Sequence, residues 1–302
     1  MSCFAPLKGY RSIERTDAGK RSLVFSRREG YSDLPVEVPC GQCIGCRKEK
    51  SRQWAIRCMH EAELHDENCF ITLTYNDDSL PPLGSLRKRD FQLFMKRLRK
   101  SVAPRKVRFF HSGEYGESTC RPHYHAILFG FDFRDKYHWS DRNGYEVFRS
   151  PFLERIWPHG NSEIGSVTFD SAAYVAKYCV KKLTGPEADA YYVRLDYETG
   201  ELVPVEPEYA TMSRRPGIGA GWYERYGEET HRLDSVVFEG KEMRPPKYYD
   251  GLADNVRPEV MRKNRLRRQA EINEEEQSPE RLTAREDVAL HKQYIFNRNS
   301  DL

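Results

Sequence analysis

His123-Tyr124-His125 places two imidazoles one residue apart. On an extended strand both project to the same side and can chelate one ion, while Tyr124 points the other way. Two strand-like runs, Val107 to Tyr115 and His123 to Phe131, are joined by Gly116-Glu117-Ser118-Thr119-Cys120-Arg121-Pro122 and read as a hairpin. A register that pairs Glu114 with His123 sets that carboxylate beside the imidazoles. Glu117, in the turn, is the alternative third ligand. His111 stands at an odd spacing from Glu114 and belongs to the opposite face. A His, His, Glu set of nitrogen and oxygen donors suits Mg²⁺ or Mn²⁺, with positions left for water and a phosphate oxygen.

Tyr174 and Tyr178 stand four residues apart with Lys177 and Lys181 alongside, so on a helix both phenols share a face. A protonated tyrosine, with a pKa of about 10, is a poor nucleophile. Neighbouring cations favour the phenolate, and a metal that withdraws charge from a phosphate lowers the barrier to attack. Alone, the two aromatics read as packing of the helix on a sheet; beside a metal group they read as nucleophiles for a phosphodiester. Cys40, Cys43 and Cys46 form a CxxCxxC run, and Cys3, Cys58, Cys69, Cys120 and Cys179 are scattered. In a cytoplasmic protein this is not a disulfide framework. Three clustered thiolates suit a structural Zn²⁺, with Cys3 or Cys58 as the fourth ligand.

These residues must be positioned by regular elements. Residues 1 to 39 read as a polar, extended arm that ends in Leu34-Pro35-Val36-Glu37-Val38-Pro39. A helix is expected from Cys46 to about His65, a strand over Cys69 to Tyr75, and an amphipathic helix where Phe91, Phe94, Met95 and Leu98 recur. Beyond the hairpin, residues 132 to 150 read as an insertion. Pro151 to Trp157 predicts a short helix, Ile164 to Phe169 a strand, and Ala172 to Leu183 a helix capped by Asp170 or Ser171. Residues 250 to 290 are charged and helical in pattern. The chain divides into residues 1–66, an arm with the Cys run and a basic helix; a core, 67–230; and a charged tail, 231–302.

The Phe70-Ile71-Thr72-Leu73-Thr74-Tyr75 strand, Gly113-Glu114-Tyr115-Gly116, Arg121-Pro122-His123-Tyr124-His125 and the helix from Tyr174 to Lys182 occur in this order. With Val38-Pro39-Cys40-Gly41-Gln42-Cys43 and Met212-Ser213-Arg214-Arg215-Pro216-Gly217, they make residues 1 to about 230 resemble the HUH endonucleases. Within these, the likeness is to rolling-circle replication initiators of small single-stranded DNA phages, Microviridae of the gokushovirus type. The resemblance implies an α+β fold with a central antiparallel sheet flanked by helices, the histidines on a central strand and the tyrosines on a helix facing them. It also implies a DNA nickase and strand-transferase. A tyrosine attacks single-stranded viral origin DNA, leaving a 5′-phosphotyrosyl link and a free 3′-OH, and a second transfer rejoins the strand. Lys181 or Lys177 would assist, and host helicase and polymerase would be partners.

The chain has 302 residues, 31% of them charged and 12% aromatic, and a net charge of only +3, so charge must be read locally. From Ser85 to Arg108 there are ten Lys or Arg against Asp90 alone. A single strand needs cations for its backbone and flat side chains for its bases. Arg97 and Lys100 in this block, and Arg214 and Arg215 beside Tyr223 and Tyr226, are the candidate DNA contacts, provided they line the catalytic face. No apolar run approaches the roughly 20 residues of a membrane span, and the first residues lack the apolar stretch of a secretory signal, so the bacterial host cytoplasm is expected. The rival reading is a non-catalytic DNA-binding protein that uses a Cys-rich zinc site and basic helices. It leaves the ordered His, Glu and Tyr set unexplained.

Overall fold

The computed structural model describes residues 3–17, 19, 21–116, 119–142, 144–181 and 186–300, with the side chains of 178–181, 186–187 and 296–300 left out. Its contacts define two compact units, Met1–Lys50 with Arg265–Leu302, and Ser51–Asn264. The chain begins with strands β1 (Leu7–Arg15), β2 (Arg21–Val24) and β3 (Gly30–Val38), then helix α1 (Ile44–Ala62). Next come β4 (Asn68–Thr74), α2 (Lys88–Ser101), β5 (Arg108–Tyr115), β6 (Pro122–Phe129), β7 (Tyr137–Arg142), β8 (Tyr145–Arg149), α3 (Pro151–Ile156), β9 (Ser162–Gly165) and α4 (Phe169–Lys181). The remainder holds α5 (Pro186–Tyr191), β10 (Val193–Leu195), β11 (Leu202–Pro204), β12 (Tyr209–Met212), α6 (Ala220–Leu233), β13 (Val236–Phe238), β14 (Lys241–Met243), α7 (Lys247–Val256), α8 (Pro258–Ala270) and α9 (Pro279–Ser300).

The segment expected as an extended arm is instead an antiparallel sheet of order β2-β1-β3. Pro35 suggested irregular chain, but it stands opposite Tyr10 on an edge strand, where a missing N–H need break no ladder bond. The charged C-terminal segment is helical, as its pattern predicts.

The larger unit is built on a seven-stranded antiparallel sheet of order β12-β5-β6-β4-β9-β8-β7. The mixed architecture of a large antiparallel sheet with helices is thus present. The supposed insertion at 132–150 is the β7–β8 hairpin that extends this sheet. On one face, Tyr124, Ala126 and Leu128 of β6 are buried in one cluster with Phe91, Phe94, Met95 and Leu98 of α2 and Leu153 of α3. On the other face, Ile127 and Phe129 join Phe110, Ala55 and Cys58 of α1, and Ala172, Val175 and Ala176 of α4. Each fully buried Phe or Leu contributes roughly 1.5–3 kcal/mol, so both helix layers are fixed firmly to the sheet. Helix α4 begins one turn earlier than expected. Thr168, rather than Asp170 or Ser171, caps it: the Ser171 N–H donates to Thr168 Oγ1 (3.1 Å) and the Thr168 N–H to Ser171 Oγ (2.9 Å).

Much of the basic block is engaged in holding the fold. Arg97 donates to the Ile156 carbonyl (3.0 Å), Arg99 to the Val107 carbonyl (3.0 Å), Arg105 to the Gly130 carbonyl (2.6 Å) and Glu67, and Arg108 to Glu61. These bonds satisfy carbonyls and carboxylates at the ends of strands and helices.

His60 is buried, with Nδ1 2.9 Å from the Tyr249 hydroxyl and its ring stacked on Trp222 at 3.5 Å. Burial depresses its pKa from the ordinary 6.5 to about 3. A depressed folded-state pKa contributes stability that is complete above the unfolded value and lost as pH falls from about 6.5 toward 3. The melting temperature is therefore expected to drop between pH 7 and pH 5, with His60 accounting for on the order of 2 kcal/mol. In thermal melts, His60→Gln should show a shallower fall over that range, and an unchanged slope would contradict this assignment.

Candidate active site

The β5–β6 ladder pairs Glu114 with His123 and Ser112 with His125, so the carboxylate and both imidazoles occupy one face of the sheet. Thr74 and Thr72 of β4 flank the two histidines from the other side. Glu114 Oε1 lies 3.1 Å from His123 Nε2 and 2.8 Å from His125 Nε2. One ligand atom from each residue falls within 4.8 Å of the others, an arrangement that could hold a metal ion. Glu114 and His125 are buried, and Glu114 Oε2 has no hydrogen-bond partner among the described residues.

The remaining ring nitrogens orient the imidazoles. His125 Nδ1 is 3.0 Å from the Thr72 hydroxyl, and His123 Nδ1–H donates to the Arg121 carbonyl at 3.1 Å. A carbonyl can only accept, so a neutral His123 carries its proton on Nδ1 and directs the Nε2 lone pair at the carboxylate. Two acceptors facing across 3.1 Å repel unless a cation lies among them or the ring is protonated. Burial lowers the pKa of His125 despite the opposing pull of Glu114, which favours the neutral, ligating form. The donor set and the orphaned carboxylate oxygen therefore fit a divalent cation. His111 lies on the opposite face, stacked on Phe91 at 3.4 Å, with burial holding its pKa well below the ordinary value.

Helix α4 crosses the metal-group face with Ala172, Val175 and Ala176 buried. Tyr174, 41% exposed, meets His125 edge-on with ring centroids 5.0 Å apart. Lys177 is exposed on the same helix. Glu117 and the side chains of Tyr178 and Lys181 lie outside the described residues. His123, His125 and Tyr174 open into one cleft of about 440 Å³ whose far wall includes Trp139, Arg142 and Arg149 of the β7–β8 hairpin.

The candidate DNA contacts are not brought to this cleft. Arg97 and Lys100 belong to α2, which packs on the opposite face of the sheet, and Arg97 is spent on the Ile156 carbonyl. Arg214 and Arg215 are exposed just beyond β12, whose register runs from Tyr209 opposite Gly113 to Met212 opposite Phe110 and so leads away from Glu114. Sequence reasoning missed the hairpin cations and Trp139. Their signal was Asn143-Gly144, a turn dipeptide between runs of aromatics, which marks a hairpin rather than a loose insertion. A second group of possible ligands gathers Cys3, Cys40, Cys43 and Cys46; Cys58 is instead buried in the core beside Ala55 and Ile127.

Residues 68–183, which span both the metal group and α4, match the family described as replication-associated protein ORF2. The chain is 35% identical over 271 residues to the replication-associated protein VP4 of Bdellovibrio phage phiMH2K, covering 86% of this chain and 79% of that protein. It is 34% identical to the replication-associated protein ORF2 of Spiroplasma virus 4, over 70% of this chain and 66% of that protein. To the replication-associated protein ORF4 of Chlamydia phage 1 it is 27% identical, over 74% of this chain and 56% of that protein. No solved structure matches. Among the described residues no helix is long and apolar enough to cross a membrane.

Calorimetric titration with Mn²⁺ should detect one site that Glu114→Ala abolishes. Thr72→Val, which removes only the hydroxyl that orients His125, should weaken binding by about 10- to 100-fold. Unchanged affinity in Glu114→Ala would mean that this group does not hold the ion.

Proposed function

The chain belongs to the replication-associated proteins of small phages of the Microviridae, and on that premise we propose that it initiates replication by nicking single-stranded viral DNA through a tyrosine on α4. The observation that carries the reading is the meeting, in one cleft, of Glu114, His123 and His125 with Tyr174. In this reading the fold is that of an HUH endonuclease.

Glu114, His123 and His125 would hold Mg²⁺ or Mn²⁺, which when bound would draw charge from the non-bridging oxygens of the scissile phosphate. Thr72 and the Arg121 carbonyl keep the imidazoles turned so that both Nε2 atoms face the carboxylate. Tyr174 supplies the nucleophile. Its oxygen forms a bond to phosphorus, the bond from phosphorus to the 3′ oxygen breaks, and the phenolic proton lost is matched by the proton the 3′ oxygen gains. The product is a 5′-phosphotyrosyl link with a free 3′-OH for a host polymerase. Lys177 and Lys181, on the same helix, would favour the phenolate. Tyr178, one turn along, would act in the second transfer that rejoins the strand. Exchange of one phosphodiester for another needs no external energy, so cutting and rejoining can share this site.

The DNA strand would run along the hairpin wall rather than along α2. Trp139 is half-exposed at 53% and carries the Arg149 guanidinium 4.7 Å above its ring, an aromatic platform beside a cation. Arg142, held by Glu163 through two bonds of 3.0 and 3.1 Å, adds a second cation at the cleft.

On labelled single-stranded origin DNA with Mn²⁺, Tyr174→Phe combined with Tyr178→Phe should give no covalent protein–DNA adduct. His123→Ala should lose on the order of a hundredfold or more in cleavage rate. An adduct in the double variant, or full cleavage in His123→Ala, would contradict the mechanism. Trp139→Ala should weaken binding of the same DNA by roughly 5- to 150-fold, the range for loss of one stacked base, whereas Arg97→Ala should leave it nearly unchanged.

A further inference from the structure

The smaller compact unit contains a group that nicking does not use. Cys3 Sγ lies 3.7 Å from Cys40 Sγ and 4.0 Å from Cys43 Sγ, and Cys40 Sγ lies 4.0 Å from Cys46 Sγ. All four sulfurs fall within 4.8 Å of one another. Four ligands about 2.3 Å from a tetrahedral zinc stand about 3.8 Å apart, close to the spacing found. A disulfide needs about 2.05 Å and joins only two sulfurs. An iron–sulfur cluster holds its cysteines on separate iron atoms and would spread them further.

The surrounding backbone is arranged for charged sulfur. The Cys40 N–H donates to Cys3 Sγ (3.3 Å), those of Gln42 and Cys43 to Cys40 Sγ (3.5 and 3.3 Å), and those of Phe4 and Cys46 to Cys43 Sγ (3.4 Å each). A neutral thiol is a weak acceptor, so five amide donors aimed at three sulfurs are of most use where the sulfurs are thiolates whose charge must be offset.

We propose that Cys3, Cys40, Cys43 and Cys46 bind one structural Zn²⁺ as a tetrathiolate. The fold explains how a residue 37 positions away becomes a ligand. Leu7 of β1 pairs with Val38 of β3, so the chain before β1 and the chain after β3 emerge at the same end of the small sheet. Gly41, at φ +78°, turns the segment between Cys40 and Cys43, and Cys46 sits in the first turn of α1. The metal thus ties the N-terminal strand to the start of α1 and closes a sheet with little core of its own. The soft sulfur set selects zinc over Mg²⁺ or Mn²⁺, and binding releases the thiol protons. The proposal is independent of the nicking chemistry.

Elemental analysis of full-length protein purified without chelators should find about one zinc per chain. The zinc should persist in His123→Ala combined with His125→Ala and be lost in Cys43→Ser. Exchange into Co²⁺ should give the intense thiolate-to-metal charge-transfer absorption of a sulfur-bound ion, which nitrogen and oxygen ligands cannot produce. Should Cys43→Ser fail to fold, the wild-type protein still decides the matter: an organomercurial should release the zinc as it consumes the four thiols. Zinc well below one per chain, iron in its place, zinc lost with the histidines, or cobalt without the thiolate band would each overturn the site.

Discussion

Glu114 stands opposite His123 because β5 and β6 pair in one register, and a slip of a single residue would turn the carboxylate to the other face of the sheet. That register is held from the far side. Tyr124, between the two histidines, is fully buried, and its hydroxyl both accepts from the Arg87 N–H (3.1 Å) and donates to the Arg87 carbonyl (2.9 Å). Opposite Tyr124 the strand has Gly113, where a Cβ would come within 2.8 Å of the Tyr209 ring and 3.1 Å of Tyr124. The hydrophobic packing of α2 on one face therefore fixes the ligand geometry on the other. Stability and chemistry occupy opposite sides of the same strand.

This division also accounts for the charges. A run of ten cations suggested a nucleic-acid surface, yet several of them tie strand ends and helix ends together on the structural side. The cations at the cleft, Arg142 and Arg149, come from a hairpin of ordinary charge density. Local charge in a sequence reports where cations are, while the carbonyls and carboxylates that engage them come from segments distant in the chain, so only the fold shows which cations remain available to a ligand.

What was legible in the sequence was what local periodicity controls. The alternation in His123-Tyr124-His125, the Glu114 pairing implied by a hairpin and the spacing of the Phe91 helix all appear in the fold. The resemblance added the order of the elements. What was not legible depends on long-range pairing. The arm before Pro39 is a sheet because β1 finds β3 across the intervening β2, and Pro35 can sit in it because β3 is an edge. Cys3 rather than Cys58 joins the thiol group for the same reason. The start of α4 was misplaced because Ser171 serves the reciprocal end of the capping pair, and its hydroxyl signature is identical in either role.

The central claim is that a tyrosine of α4, beside the Glu114, His123 and His125 group, becomes covalently joined to DNA. Trypsin offers a direct reading, since cleavage after Arg155, Lys177 and Lys181 places Tyr174 and Tyr178 on separate peptides, residues 156–177 and 178–181. Mass spectrometry of the digested protein–DNA adduct should find the nucleotide on one of these two peptides, on its tyrosine. A nucleotide attached to any other residue, or cleavage with no covalent adduct at all, would contradict the claim.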